Sequence, residues 1–175
     1  MKLPDDCPFE KAPPEQCFGT EPHRSDCCRA RSGYFSDATP LCRFRAMESE
    51  AYRFLWRSSF SGAAFVHIAQ RGDGIGLSSC VLGRSRLSRA EPVVSAALSL
   101  EDWEMLQGAL RVSDFWSLDS TDERIGLDGA CWLIEARRGD TYHWVDRWCP
   151  QGAVYDLGRL FFALAGPALA DFRLY

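Results

Sequence analysis

No window of this 175-residue sequence approaches the ~18 consecutive apolar residues that a membrane-spanning helix needs. The opening Met1-Lys2-Leu3-Pro4-Asp5-Asp6 lacks the apolar centre of a secretory signal. The chain is therefore expected in the cytoplasm, or in the periplasm if a leader has been removed. An excess of positive charge is missing as well: the net charge is −4, which argues against nucleic acid and anionic membrane as partners.

Catalytic and cofactor signatures are also absent. There is no Gly-x-Ser-x-Gly nucleophile elbow, no phosphate loop ending in Gly-Lys-Ser/Thr, and no Gly-x-Gly-x-x-Gly after a strand. Gly72-Asp73-Gly74-Ile75-Gly76 is glycine-rich but falls inside a hairpin, with no helix N-terminus to receive a phosphate. The histidines are His23, His67 and His143, and no two stand at metal-ligand spacing. His67 lies among apolar residues of a strand, the setting of a hydrogen-bonded interior histidine. No Cys-x-x-Cys occurs, and Cys7, Cys17 and Cys27 are ten apart, so no metal site is expected. His23, four residues before Cys27, makes only a loose Cys/His pairing. The sequence assigns no catalytic residue and implies no cofactor.

Cysteine and proline, by contrast, crowd the first quarter of the chain. Five of the eight cysteines (Cys7, Cys17, Cys27, Cys28, Cys42) fall there, with Pro4, Pro8, Pro13, Pro14, Pro22 and Pro40. An even cysteine total suits a disulfide framework in an oxidising compartment, whereas the missing leader favours free thiols. Residues 1–50 therefore read as an irregular Cys/Pro-rich lead, with a short helical turn around Phe44–Glu50. Residues 51–175 read as a single α+β domain.

Within that domain Tyr52, Phe54 and Trp56 alternate with Arg53, Leu55 and Arg57, the period-2 signature of a strand. Ala64–Arg71 and Ile75–Leu82 follow as a hairpin about Gly72-Asp73-Gly74, and a weaker strand spans Pro92–Ala97. Ser99 is placed to cap a helix with Asp102 completing a capping box, ahead of Trp103, Leu106 and Leu110 at helical spacing. Phe115 and Trp116 leave that helix to seal one edge of the core. Cys131–Arg137 and Tyr142–Trp148 form the strongest hairpin, closed by Gly139-Asp140. Leu157, Leu160, Phe161 and Leu164 mark a second helix, opened by Asp156 and stopped at Gly166-Pro167. The expected architecture is an antiparallel sheet of about five to six strands packed against two amphipathic helices on one face.

The Gly-Asp turn also fixes which side chains meet. Arg137 faces Tyr142, Glu135 faces Trp144, Leu133 faces Asp146 and Cys131 faces Trp148; on the other side Ala136 meets His143, Ile134 meets Val145 and Trp132 meets Arg147. The second, mainly apolar set is expected to turn to the core, with a cation–π contact between Trp132 and Arg147 at its rim. The first gathers Glu135, Tyr142, Trp144, Asp146 and Trp148 on what is expected to be an exposed face. With Arg147 these are the candidate binding residues, because Trp, Tyr and Arg concentrate the energy of protein interfaces. Glu135 and Asp146, diagonal neighbours beside aromatic rings, also suit acid/base work on a polar, carbohydrate-like substrate, with His143 as a further base.

The segments "YRFLWRSSF", "FWSLDS" and "GLDGACWLIEARRGDTYHWVDRWCP" resemble an uncharacterised family of bacterial proteins with the pattern FWxL…GLDGAxWxLE…YHxVDRWxP. The resemblance covers the C-terminal two thirds and implies a bacterial origin and a shared fold, but no reaction. Cys149 departs from it, since serine is expected before the proline. The resulting expectation is a non-enzymatic protein-binding module of the immunity or inhibitor type, with another protein as partner. The alternative is a hydrolase using Glu135, Asp146 or His143.

Overall fold

The computed structural model describes residues 41, 49–60, 62–82, 94–122, 124, 126 and 128–169. Strands β1 (Glu50–Ser58), β2 (Gly62–Arg71), β3 (Gly74–Leu82) and β4 (Val94–Ala97) run as an antiparallel meander. Helix α1 (Leu100–Val112) and a 3-10 turn (Phe115–Ser117) follow, then the hairpin of β5 (Ala130–Arg138) and β6 (Thr141–Trp148), and helix α2 (Ala153–Ala165). The sheet order β4-β3-β2-β1-β5-β6 places the late hairpin against β1, so β1 is internal and β6 is an edge. The fold is α+β, as the residue pattern implies.

Both helices lie on one side of the sheet. Tyr52, Phe54 and Trp56 of β1, Trp132, Ile134 and Ala136 of β5, and Val145 of β6 pack there with Trp103, Leu106 and Leu110 of α1 and Leu157 and Phe161 of α2. Phe54 touches Trp132 at 5.2 Å and Phe161 at 5.7 Å between ring centroids, within the range where tilted rings attract. Gly158 lets α2 come this close: a Cβ there would fall 2.2 Å from the Trp132 ring.

Local signals explain the helix ends. Ser99 caps α1: its Oγ accepts the Asp102 N–H at 3.0 Å and donates to the Asp102 carboxylate at 2.6 Å. Helix α2 begins at Ala153, three residues before the expected Asp156. Gly152, at φ 64°, turns the chain into the helix, and its carbonyl accepts the Asp156 N–H at 2.9 Å. Glu50, expected in a helical turn, instead opens β1, while residues 42–48 lie outside the described residues. So does nearly all of the Cys/Pro-rich lead, including Cys7, Cys17, His23, Cys27, Cys28 and Cys42; Leu41 is described and buried.

Both faces of β1 are buried, and Arg53, which alternates with the aromatics of the strand, has no solvent exposure. Leu41 packs on Ala51 and Ala69 on the face that Arg53 shares, and an internal arginine needs an acid.

Candidate functional site

The β5–β6 register is the one the Gly139-Asp140 turn dictates, from Arg137 opposite Tyr142 to Cys131 opposite Trp148. Trp132, Ile134, Ala136 and Val145 point to the helices. The Trp132–Arg147 contact takes another form, however. Trp132 packs on Phe54 and Tyr155, while Arg147 donates to the Asp119 and Asp146 carbonyls and lies 3.7 Å from the Asp122 carboxylate.

Glu135 and Trp144 are not on an exposed face. Glu135 has 0% exposure and Trp144 1%, so their placement in a solvent-facing aromatic patch is corrected. The cause is the cross-strand partner. The β1–β5 register sets Arg53 directly opposite Glu135, and Arg53 Nε donates to Glu135 Oε2 at 2.8 Å, with its Nη2 bonded to the same oxygen. Glu135 Oε1 accepts the Tyr142 hydroxyl at 2.8 Å and the Leu41 N–H at 3.2 Å. Leu41 packs with Ala51, Ala69 and Tyr142. Two charge-assisted bonds from one guanidinium and two further donors satisfy the buried carboxylate, the condition under which such a charge is tolerated.

Lower on the same face, half-buried Asp146 accepts the Cys131 thiol at 3.2 Å on Oδ1. Burial raises the Asp146 carboxyl pKa above its ordinary value, against the lowering effect of that thiol bond and of Arg147. Burial, with Asp146 as the second cause, likewise pushes the Cys131 thiol up. Trp148 packs closely on Gly126 and Gly129: a Cβ on Gly126 would stand 2.0 Å from its indole nitrogen, and one on Gly129 3.2 Å from its ring. These glycines thus serve the packing of Trp148.

A groove of about 520 Å³ lies at the turn end of β6, lined by Trp116, Arg138, Thr141, Tyr142 and His143. The 3-10 turn after α1 presents Trp116, which meets Phe115 edge-on at 5.7 Å and His143 at 6.3 Å. The Arg138 guanidinium stands 5.6 Å over the Trp116 ring, donates to Glu50 at 2.6 Å and to Gln107 at 2.7 Å, and bonds the Tyr52 hydroxyl at 3.2 Å. Tyr142 contributes from the sheet face opposite the helices, so the groove wraps the edge. Residue patterning had singled out Tyr142 and His143, but not Trp116, Arg138 or Thr141. Arg138 and Thr141 flank the Gly-Asp turn, and that position was the available signal; Trp116 is brought in by the chain reversal at Asp114, φ 48°.

Glu135, Asp146 and His143 do not converge. His143 points to the helix side, against Phe115 and Trp116, while Glu135 and Asp146 point to the other. Glu135 is sealed by its partners, and the thiol beside Asp146, that of Cys131, is buried. Among the described residues no three His, Cys, Asp or Glu side chains gather as for a metal ion, and no helix is long and apolar enough to cross a membrane. Neither the models of known families nor the curated proteins contain a match to this chain.

Proposed function

We propose that this chain is a protein-binding module that receives an extended segment of its partner at the outer edge of β6, in the groove between Trp116 and Tyr142. The observation that carries the reading is a groove lined by Trp, Tyr, Arg and His beside an edge strand. Such side chains supply most of the energy at protein contacts, and sheet edges bind extended peptides through their backbone. Antiparallel alternation turns the N–H and C=O of Trp144 and Asp146 outward. Further along, this edge already takes a segment of its own chain: Asp146 N–H donates to the Ser120 carbonyl at 2.7 Å, beside a parallel bridge between Thr121 and Asp146. On that side no described residue pairs with the Trp144 backbone. The net charge of −4 and the absence of a complete catalytic motif fit an inhibitor or immunity type of module.

Full-length protein carrying Thr141→Arg or Trp116→Ala tests the reading against a partner recovered from the source organism. Thr141→Arg fills the exposed mouth of the groove without touching the core. Loss of a central contact should weaken binding by about 2–4 kcal/mol, roughly 30- to 1000-fold. Unchanged affinity in both variants would remove the groove from consideration.

A further inference from the structure

The base of the β5–β6 hairpin, at the end away from its turn, brings two thiols together in a way that regular strand geometry would not. Cys131 stands opposite Trp148, and the Cys149 N–H continues the ladder to the Ala130 carbonyl at 2.9 Å. Ala130 and Cys149 are thus a hydrogen-bonded pair, and Cys131 and Trp148 a non-hydrogen-bonded one. A Cα separation of ~4.5 Å across such a pair and a rise of ~3.4 Å per residue put the Cys131 and Cys149 Cα atoms ~5.6 Å apart. Disulfides favour Cα separations of about 5.5–6 Å.

In a regular strand the two side chains would point to opposite faces. Cys149 escapes that rule because its backbone is left-handed, at φ 45°, an uncommon conformation for a residue other than glycine. The turn swings its sulfur back over the start of β5, where Sγ accepts the Ala130 N–H at 3.2 Å, the place a ladder carbonyl would otherwise take. Gly129 makes room: a Cβ there would lie 2.3 Å from that sulfur. Both thiols are reduced in this structure; Cys149 is half-buried, whereas Cys131 is buried with its S–H on Asp146.

We propose that Cys131 and Cys149 are a dithiol site that a small-molecule disulfide oxidises to an intramolecular Cys131–Cys149 bond. The more accessible Cys149, as thiolate, attacks one sulfur of the oxidant, such as oxidised glutathione, and the oxidant's S–S bond breaks. One thiolate leaves, and Cys149 carries a mixed disulfide. Cys131 then attacks the Cys149 sulfur and expels the second thiolate, which takes up the Cys131 proton. The two protein thiols lose two electrons, the oxidant gains them, and the protons pass to the two released thiolates. The product bond ties the start of β5 to the chain just beyond β6.

Trypsin separates the two residues cleanly, since segments 125–137 and 148–159 each contain one cysteine. Reduced full-length protein is incubated with oxidised glutathione, quenched with an alkylating agent and digested for mass spectrometry. The expected product is those two segments joined, lighter by two hydrogens than their sum. In Cys131→Ser the reaction should stop at glutathione on Cys149. Wild-type protein that accumulates only the Cys149–glutathione adduct, or that joins Cys149 to Cys80 or to a cysteine of residues 1–48, would overturn the proposal. Formation of the bond in urea but not in the folded protein would do the same, because the pairing is attributed to the fold.

Discussion

Replacing Glu135 with glutamine leaves a shape that still fits but takes the opposing charge away from the Arg53 guanidinium inside the sheet. Both side chains have 0% exposure, and both described Arg53–Glu135 bonds end on one carboxylate oxygen. Breaking a buried pair from one side costs about 3–5 kcal/mol, mostly because the surviving charge has no water to return to. Domains of this size hold together by only about 5–15 kcal/mol in total, so Glu135→Gln alone should bring the protein close to unfolding. With a urea dependence of about 2 kcal/mol per molar, the unfolding midpoint should fall by about 2 M. Arg53→Met should cost a similar amount, because the buried carboxylate loses its opposing charge. The double change Arg53→Met with Glu135→Gln removes both charges, and its cost should fall well below the sum of the two, a coupling of at least about 2 kcal/mol. The assay is equilibrium urea unfolding followed by tryptophan fluorescence in all four proteins. Single-variant costs below about 1 kcal/mol, adding within about 0.5 kcal/mol, would refute the claim that the pair is both buried and mutually dependent.

Other perturbations follow from the same geometry. Trp144→Ala should lower stability by about 3–5 kcal/mol in a thermal melt, as for any large ring removed from an interior; a loss under about 0.5 kcal/mol would return the ring to the surface. Gly129→Ala adds a Cβ 2.3 Å from Cys149 Sγ at a backbone of φ 151°, so a cost of about 2–4 kcal/mol and perturbed Trp148 fluorescence are expected. Asp146→Asn tests the raised carboxyl: a pKa higher in the folded than in the unfolded chain stabilises at low pH, and the contribution disappears as pH rises through the folded value. The variant should therefore gain stability relative to wild type at pH 7 but not at pH 3, in paired urea titrations, and an equal difference at both pH values would contradict it.

Legibility tracked the range of the forces involved. The Gly139-Asp140 turn, the Ser99 cap and the aromatic alternation of β1 are local, and each element they imply is present. The burial of Glu135 depends on a contact 82 residues away in sequence, Arg53, which no local pattern announces. Once β5 is known to pair with β1, the Arg53–Glu135 match is forced by register; before that, an acidic and aromatic strand face reads as solvated. His143 failed as a partner of Asp146 for a simpler reason: the period-2 rule places adjacent parity on opposite faces. The start of α2 was misplaced because Gly152 sets the entry through its φ, while Asp156 merely contributes charge to the first turn.

The buried acid and the groove are connected through Tyr142. Its hydroxyl is fixed on Glu135 Oε1, which Arg53 holds from the neighbouring oxygen, so one wall of the groove is anchored to the sheet interior. The opposite wall is fixed by Arg138, tied to Glu50, Gln107 and the Tyr52 hydroxyl while its guanidinium rests over Trp116. An aromatic or arginine side chain immobilised on binding loses about 0.5–1.5 kcal/mol of entropy, and these are ordered beforehand. Glu135 and Arg53 therefore bear on recognition without meeting the partner. Tyr142→Phe separates the two effects: it keeps the ring but frees it from Glu135, leaving the groove chemistry in place and the wall less constrained. Affinity for a partner at this edge should fall by about 3- to 10-fold, corresponding to roughly 1 kcal/mol. Isothermal titration alongside a thermal melt distinguishes this from unfolding, and an affinity equal to wild type would show that the ion pair shapes the sheet but not the site.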